Sequence, residues 1–440
     1  MASQSEVTSL FKRVYGDLTN LLPQDFPLAK DIPFSAREKV GEKYICAAVL
    51  TAETGWTLSS STSAFELNPA RAGVIKQTEV SPYISVLPSI IPWSVMSRTA
   101  DAGEKAFYSA TKFLVSNNLK SHGRLQEILR LYGQSDALLG YVSYATATYR
   151  GVSFTTGTGT LTLQDATTLA FTNGINAASK AILMAPGQFA SFNFVGLEGV
   201  KINEVDSTGA IIKTGSLVSV NSELGYITVD FTPTAASSTT SHRICFDGME
   251  SANDYVGIQK ILSTTGTLFA INTATYSLWQ GNRYNCNNQK LTLARFQAAV
   301  ANMVNKGGFR GDLKVYVNPR TWATLATTEA GLRVYDKSYS PSKADNGFDS
   351  IEFFTQAGKA EFIPHPGVKE GDAFALSLKT WSRSGSSEIS FSIPGMPTDV
   401  IFPMTNQAGY CFRSFSDQFI FCDIPVHNLY FYNINDESSS

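Results

Sequence analysis

The chain has 440 residues, with 35 basic and 37 acidic side chains, a net charge of −2, 43% hydrophobic and 12% aromatic content. That length exceeds one small module and suggests about three units, and the apolar content excludes disorder by composition. Only 16% of residues are charged, against a usual ~25%, so no global electrostatic attraction holds the chain on nucleic acid or an anionic membrane.

Residues 1–40 read as an arm, broken by Pro23, Pro27 and Pro33, with helical spacing over Val7 to Leu22 and extended chain after it. Residues 41–93 turn strand-like. Tyr44 to Leu50, then Val74 to Val80 and Tyr83 to Leu87, flank a Gly, Ser, Thr and Pro-rich middle, the pattern of a long β-hairpin. Its tip, Ser59-Ser60-Ser61-Thr62-Ser63, has nothing to pack and is expected to be mobile.

In 94–150, Phe107, Ala110, Phe113 and Leu114, then Leu125, Ile128, Leu129 and Tyr132, recur at three- and four-residue steps. They predict a long helix that the polar pair Asn117-Asn118 could kink or divide, and His122 beside Ser121 reads as a helix start. The pattern changes again at 151–247. Only nine charged side chains lie between Gly151 and Ser241, Ile227, Val229 and Phe231 alternate with polar residues, and turns such as Asn173-Gly174 punctuate the stretch, so an all-β insertion is predicted.

Residues 248–371 mix both periods. Leu293, Phe296, Val300, Met303 and Val304 define an amphipathic helix that Thr292 would cap and Gly307-Gly308 would end. The strand Leu313 to Val317 follows. Asn318-Pro319 then suits the cap and first position of another helix, and a hairpin turns at Gln356-Ala357-Gly358. Residues 372–434 are nearly all strands, with apolar side chains on both faces of Phe419 to Cys422 and Leu429 to Tyr432, implying two-sided burial by other domains or other subunits. The polar end, 435–440, reads as a disordered tail.

No catalytic chemistry emerges. His122, His242, His365 and His427 are scattered without metal-ligand spacing, and His365 sits in a rigid Pro-His-Pro turn. The five cysteines, Cys46, Cys245, Cys286, Cys411 and Cys422, are odd in number and unpaired in spacing, so they read as buried small hydrophobes. Gly157-Thr158-Gly159 lacks the Lys and helix of a phosphate loop, the acidic pairs Glu352 with Glu361 and Asp345 with Asp349 read as solvated surface, and the five tryptophans read as core. The start of the chain shows no basic and apolar leader, and no run reaches the ~18 apolar residues of a membrane span. We expect no enzyme, no cofactor, no metal and no membrane, in a protein made in a cytoplasm.

The order of these pieces, with Thr275-Tyr276-Ser277-Leu278-Trp279-Gln280-Gly281-Asn282, Leu293 to Val317 running into Asn318-Pro319-Arg320-Thr321-Trp322, and Ile363-Pro364-His365-Pro366-Gly367-Val368-Lys369, resembles the major capsid proteins of tailed bacteriophages. The resemblance covers about residues 35 to 434. It implies an α+β chain of the Johnson, or HK97-like, fold: N-terminal arm 1–40, E-loop 41–93, peripheral domain 94–150 with its spine helix, insertion 151–247, axial domain 248–371 and peripheral return strands 372–434.

The implied role is a structural subunit that forms hexamers and pentamers of an icosahedral shell around double-stranded DNA in the virion head. The implied partners are further copies of itself, a portal protein and possible decoration proteins, with packaged DNA held non-specifically. Because no additional segment precedes the arm, a separate scaffolding protein is expected. Candidate inter-subunit contacts are Tyr44, Ile45, Val74, Ile75, Tyr83, Ile84 and Trp93 on the hairpin. No lysine and asparagine match those that crosslink some members, and Lys76, in the right loop, reads as an ordinary surface lysine. Two alternatives stand beside this reading: an encapsulin-like compartment shell, and a β-rich adhesin or carbohydrate-binding protein suggested by the Thr, Ser and Gly-rich middle.

Overall fold

The structure, a computed structural model, describes residues 26–35, 39–40, 43–93, 104–135, 138–143, 148–149, 152–153, 158–162, 168–234, 242–250, 256–329, 351–391, 401–404 and 407–437. The helix predicted over Val7 to Leu22, Gly157 of the phosphate-loop lookalike and the Asp345 and Asp349 pair lie outside these residues.

A mixed six-stranded sheet forms one centre, in the order Asn282–Gln289, Leu429–Ile434, Ala373–Leu376, Leu313–Val317, Lys359–Pro364, Ile351–Phe354. Its inner strands are apolar on both faces because both are covered: Val315, Val317, Phe362, Phe374 and Phe431 are all buried. The helix Leu293–Gly307 lays Phe296, Val300 and Met303 on one face. That helix starts where Thr292 Oγ1 accepts the Arg295 N–H at 3.4 Å and stops at Gly308, whose φ of 63° only a glycine adopts cheaply. The next helix, Pro319–Glu329, begins at Asn318, whose Oδ1 accepts the Arg320 N–H at 2.9 Å. The hairpin at Gln356-Ala357-Gly358 joins the last two strands as predicted.

The insertion is a nine-stranded antiparallel sheet that reaches back to Gly140–Tyr141 and runs through Arg243–Phe246, Lys201–Val205, Ile211–Asn221 and Tyr226–Val229 to Thr158–Thr162 at its far end. Asn173 and Gly174, at φ 47° and 77°, make the tight turn their sequence demands. A third sheet is built on the long strand Gly409–Cys422, with Trp381–Ser390 and Ile401–Pro403 along one edge and Tyr83–Pro92 along the other. The predicted hairpin is therefore only partly one. Lys43–Val49 and Ile75–Val80 pair in register, Tyr44 opposite Val80 and Val49 opposite Ile75, whereas Tyr83–Pro92 leaves them for the C-terminal sheet.

One helix, Glu104–Tyr132, links these bodies. It runs unbroken through Asn117-Asn118, and His122 lies in its middle turns, which corrects the reading of His122 as a helix start. Local propensity disfavours asparagine in a helix interior, but Asn118 spends its side-chain amide on the neighbouring strand, at 2.8 Å from Ser89 Oγ. The buried side of the helix is as polar as it is apolar: Ile128, Leu131 and Tyr132 share it with His122, Arg124, Gln126, Glu127 and Arg130.

Glu127 is the densest of these contacts. Its Oε1 accepts the backbone N–H of Leu28 at 2.8 Å and faces His365 Nε2 at 3.1 Å, while its Oε2 accepts Arg130 Nη1 at 2.8 Å. Burial pushes this carboxyl up, but the hydrogen bond from His365 and the charge of Arg130 outweigh it and hold Glu127 below the ordinary carboxylate range. The arm segment is fixed again at Arg383, whose guanidinium donates to Ile32 O at 2.8 Å and Ala29 O at 2.9 Å, and at Asp31, bonded to Lys314 at 2.7 Å and Tyr316 at 2.6 Å.

Removing one member of a buried ionic cluster leaves its partners uncompensated, which costs about 3–5 kcal/mol. Glu127→Ala should lower the stability of the unassembled chain by about that amount, read as a shift of the urea unfolding midpoint. A change below about 1 kcal/mol would show that the cluster is not held as described.

Candidate functional site

The third sheet is inside out. In antiparallel pairing, directly opposed residues share a face, and the register puts Ser85 opposite Ser416, Leu87 opposite Ser414, and Ser89 opposite Phe412. This face lies under the long helix, yet it is lined mainly by hydroxyls. His122 sits buried between them, Nε2 at 2.7 Å from Ser85 Oγ and Nδ1 at 2.8 Å from Ser414 Oγ. Gln126 donates to Ser85 at 2.6 Å, so residues 118, 122 and 126, one turn apart, all bond to the sheet. Burial, reinforced by the charge of Arg130, pushes His122 down to about 4.

On Tyr83–Pro92 the opposite face is apolar, while on Gly409–Cys422 it also carries Asp417, opposite Ile84, and Arg413, opposite Pro88. Ile84 is 74% exposed, Val86, Pro88 and Ile90 are also exposed, and Phe415, opposite Val86, is half-buried. Such a strand reads as a normal amphipathic strand, but its greasy side is the one left in solvent. Residues 50–74 form a ribbon carrying Trp56 at 81%, Leu58 at 97% and Leu67 at 77% exposure, with Phe65 exposed as well. The ribbon holds its own shape through paired Thr54 and Arg71 backbones at 2.8 and 2.9 Å and through Asn68, which reaches Trp56 O at 2.8 Å. Gly55 takes φ 115°, and a Cβ there would lie 2.6 Å from Pro69 O, so the ribbon's two strands can approach only at a glycine. Its tip, Ser59 to Ser63, faces solvent and is bonded within itself, Ser61 N to Ser59 Oγ and Ser63 N to Ser61 Oγ, both at 3.1 Å.

The residues predicted as contacts separate into three groups. Ile75, Ile84 and Trp93 are exposed, and Ile84 stands on the outward face of the third sheet. Ile45, Val74 and Tyr83 are half-buried, Tyr83 accepting from Gln134 at 3.1 Å. Tyr44 is a correction: it is buried in the chain's own core with its ring packed 4.9 Å from Phe419 of the C-terminal sheet, so it has no surface left for a neighbour. Trp56 and Trp93 likewise depart from the reading of tryptophans as core, while Trp279 and Trp381 are buried. Leu58, Phe65 and Leu67 went unnoticed in the sequence; their signal is large apolar residues standing singly among turn formers. Lys76 is exposed and lies 5.2 Å over the ring of Tyr276.

Among the described residues, no group of three His, Cys, Asp or Glu side chains could hold a metal ion, and no helix is long and apolar enough to cross a membrane. Glu352 pairs with Lys359 at 2.6 Å on the open hairpin. His242 meets buried Glu204 at 2.8 Å inside the insertion, a carboxyl that burial pushes up. Cys245, Cys286, Cys411 and Cys422 are buried thiols.

No protein-family model and no curated protein sequence matches the chain. Solved structures do. The capsid asymmetric unit of cyanophage A-1(L) superposes with a TM-score of 0.55 over 95% of both chains at 9% identity. The capsid of a native GTA particle gives 0.45 over 96% of both at 6% identity, and an encapsulin complex from Synechococcus elongatus gives 0.41 over 97% of this chain and 95% of that one at 7% identity. The chain thus has the α+β, HK97-like fold of a phage capsid subunit.

Two outcomes follow. Ile84→Asp with Val86→Asp should leave the unfolding midpoint of the isolated chain within about 0.5 kcal/mol but abolish its association into larger species in sedimentation velocity; unchanged association would remove this face from the contact surface. For His122 the native value lies below the unfolded one, so between pH ~4 and ~6.5 the unfolded chain binds the extra proton and stability rises with pH. About 3 kcal/mol is thereby lost on acidification through that window, and His122→Gln should flatten this slope in urea titrations at stepped pH.

Proposed function

We propose that the chain is a shell-forming structural protein, the major capsid protein of a tailed phage, which assembles with copies of itself around double-stranded DNA. The observation that carries the reading is the inside-out sheet: an HK97-like chain that hydrogen-bonds its inner face and leaves Ile84, Val86, Ile90 and the Trp56 to Leu67 ribbon bare. Obligate interfaces bury 2,000 Å² or more, mostly apolar, and a protein that remained single would leave these side chains in water. Nothing in this role needs a reactive group.

In this reading residues 41–93 act as the E-loop, the helix Glu104–Tyr132 as the spine, 248–371 as the axial domain at five- and six-fold centres, and 372–434 as the peripheral return. The Ser59 to Ser63 tip supplies a mobile joint that lets one sequence occupy non-identical positions. Half-buried Ile45, Val74 and Tyr83 complete the contact surface once a neighbour lies across Ile75, Ile84 and Trp93. A separate scaffolding protein, a portal and decoration proteins are its partners, the virion head is its place and the host cytoplasm its site of assembly. DNA is confined without being gripped, since each phosphate contact would add salt-dependent affinity that a near-neutral chain does not supply.

Expression of the full chain, alone and with a scaffolding protein from its own genome, tests this by electron microscopy. Closed shells, or rings of five and six copies, are the expected result. A persistent monomer under both conditions overturns it, and shells that fill with a protein cargo in place of DNA would move the chain to an encapsulin-like compartment.

A further inference from the structure

The far end of the insertion is a hairpin in which Thr158–Thr162 pairs with Thr168–Thr172. Its faces follow the alternation of the two strands. Leu161 and Phe171 are buried and pack with Ala181, Leu183 and Tyr226, while Thr158, Thr160, Thr162, Thr168, Ala170 and Thr172 all face solvent. Neither strand contains a charged residue.

The outer strand, Thr158–Thr162, is the last of the nine-stranded sheet, and among the described residues it forms a ladder on one side only. A strand edge presents backbone N–H and C=O groups to any strand that reaches it, and proteins guard such edges with charges, prolines or very short strands. The other outer strands of this chain are guarded in that way. Ile75–Val80 carries Lys76, Asn282–Gln289 carries Arg283, Ile351–Phe354 carries Glu352, Trp381–Ser390 carries Arg383, Tyr83–Pro92 carries Pro88 and Ile401–Pro403 carries Pro403; the rest are two residues long. Thr158–Thr162 has five residues and neither a charge nor a proline. The second edge of the hairpin is taken in part by its own chain, where Thr172 pairs with Ile175.

What fits the outer edge follows from its residues, Thr-Gly-Thr-Leu-Thr. They are nearly symmetric about Thr160. Turned antiparallel on itself around that residue, the strand sets Thr158 opposite Thr162 and Thr160 opposite Thr160, so that hydroxyls meet hydroxyls, and it sets Leu161 opposite Gly159, which leaves room for the larger side chain. No charge on the strand repels a second copy, and none is present to recruit a partner of opposite charge.

We propose that Thr158–Thr162 pairs antiparallel with the same strand of a second copy of this chain, about a two-fold axis at Thr160, joining two insertions in one continuous sheet. Such a contact is closed once two copies have met. It uses neither the Trp56 ribbon nor the Ile84 face, so it holds or fails separately from the shell reading.

The test uses the full chain carrying Ile84→Asp and Val86→Asp, which removes association through the apolar face. Directly opposed residues lie about 5 Å apart, whereas residues four positions out of register lie about 13 Å apart. A two-carbon bismaleimide should therefore link Thr160→Cys copies to one another, and should link Thr158→Cys copies to Thr162→Cys copies but not to themselves, with the parent chain setting the background from its own cysteines. Sedimentation equilibrium gives the second readout. Like charges facing across the axis should make Thr160→Lys and Thr160→Glu each monomeric, and mixing the two should restore the dimer; unfolding midpoints equal to the parent's show that both variants are folded. No linkage above the parent's background, linkage of Thr158→Cys to itself as strong as in the mixture, or a dimer that Thr160→Lys leaves unchanged overturns the proposal.

Discussion

A buried carboxylate cannot be left alone in a protein interior, and Glu127 organises the molecule for that reason. To stay ionised it recruits Leu28 from the N-terminal segment, Arg130 from its own helix and His365 from the turn after the central strand Lys359–Pro364. Those residues are far apart in the chain, and no apolar contact would fix their relative orientation as narrowly as three directional bonds to one group do. His365 can reach only because the Pro-His-Pro turn holds it, and its Nδ1 in turn accepts the Gly367 N–H at 3.1 Å. Apolar burial around Leu28, Ile128, Leu131 and Tyr316 supplies the adhesive energy, and the ionic cluster selects the arrangement in which that burial occurs.

The same division explains the sheet beneath the helix. Serines and a neutral histidine between a helix and a sheet give less hydrophobic stabilisation than leucines would, at about 1.5–3 kcal/mol for each large side chain not buried. What they give is position, since His122 between Ser85 and Ser414 fits one placement of the helix. The apolar residues that another protein would place there stand on the opposite face as Ile84, Val86 and Ile90. In the proposed shell a neighbour would bury them, so part of the free energy that would stabilise a monomer would go to association.

What the sequence shows and what it hides follow from how far each signal reaches. Thr292 with Gly308, Asn318 with Pro319, and Asn173 with Gly174 are local devices, and each element boundary they mark is where the structure has it. Tyr83–Pro92 is a strand by its own residues, but its partner Gly409–Cys422 is set by tertiary packing that no local pattern encodes. Asn118 and His122 mislead for the opposite reason. Their propensities argue for a break or a start, and the hydrogen bonds that override those propensities come from serines on other segments. Periodicity likewise tells which side of a strand is apolar without telling which side faces the core, so Ile84 could be marked as a contact while Tyr44, similar in sequence context, is interior.

The low charge content then has a distribution as well as a value. Several fully buried charges sit at joints between bodies: Glu127 and Arg130 at the arm, Arg383 at the C-terminal sheet, Lys369 and Asp372 where the insertion meets the central sheet. The charges on the outward face of the third sheet and on the ribbon, Arg413, Asp417, Glu53, Glu66 and Arg71, stand exposed or half-buried among apolar side chains. Ionic contacts are directional and costly to misalign, whereas apolar contacts tolerate small changes in angle because they depend on area more than on geometry. A chain that keeps its own parts together with the first kind and meets its copies with the second can hold one shape while sitting at slightly different angles to each neighbour, which a closed shell of identical subunits requires.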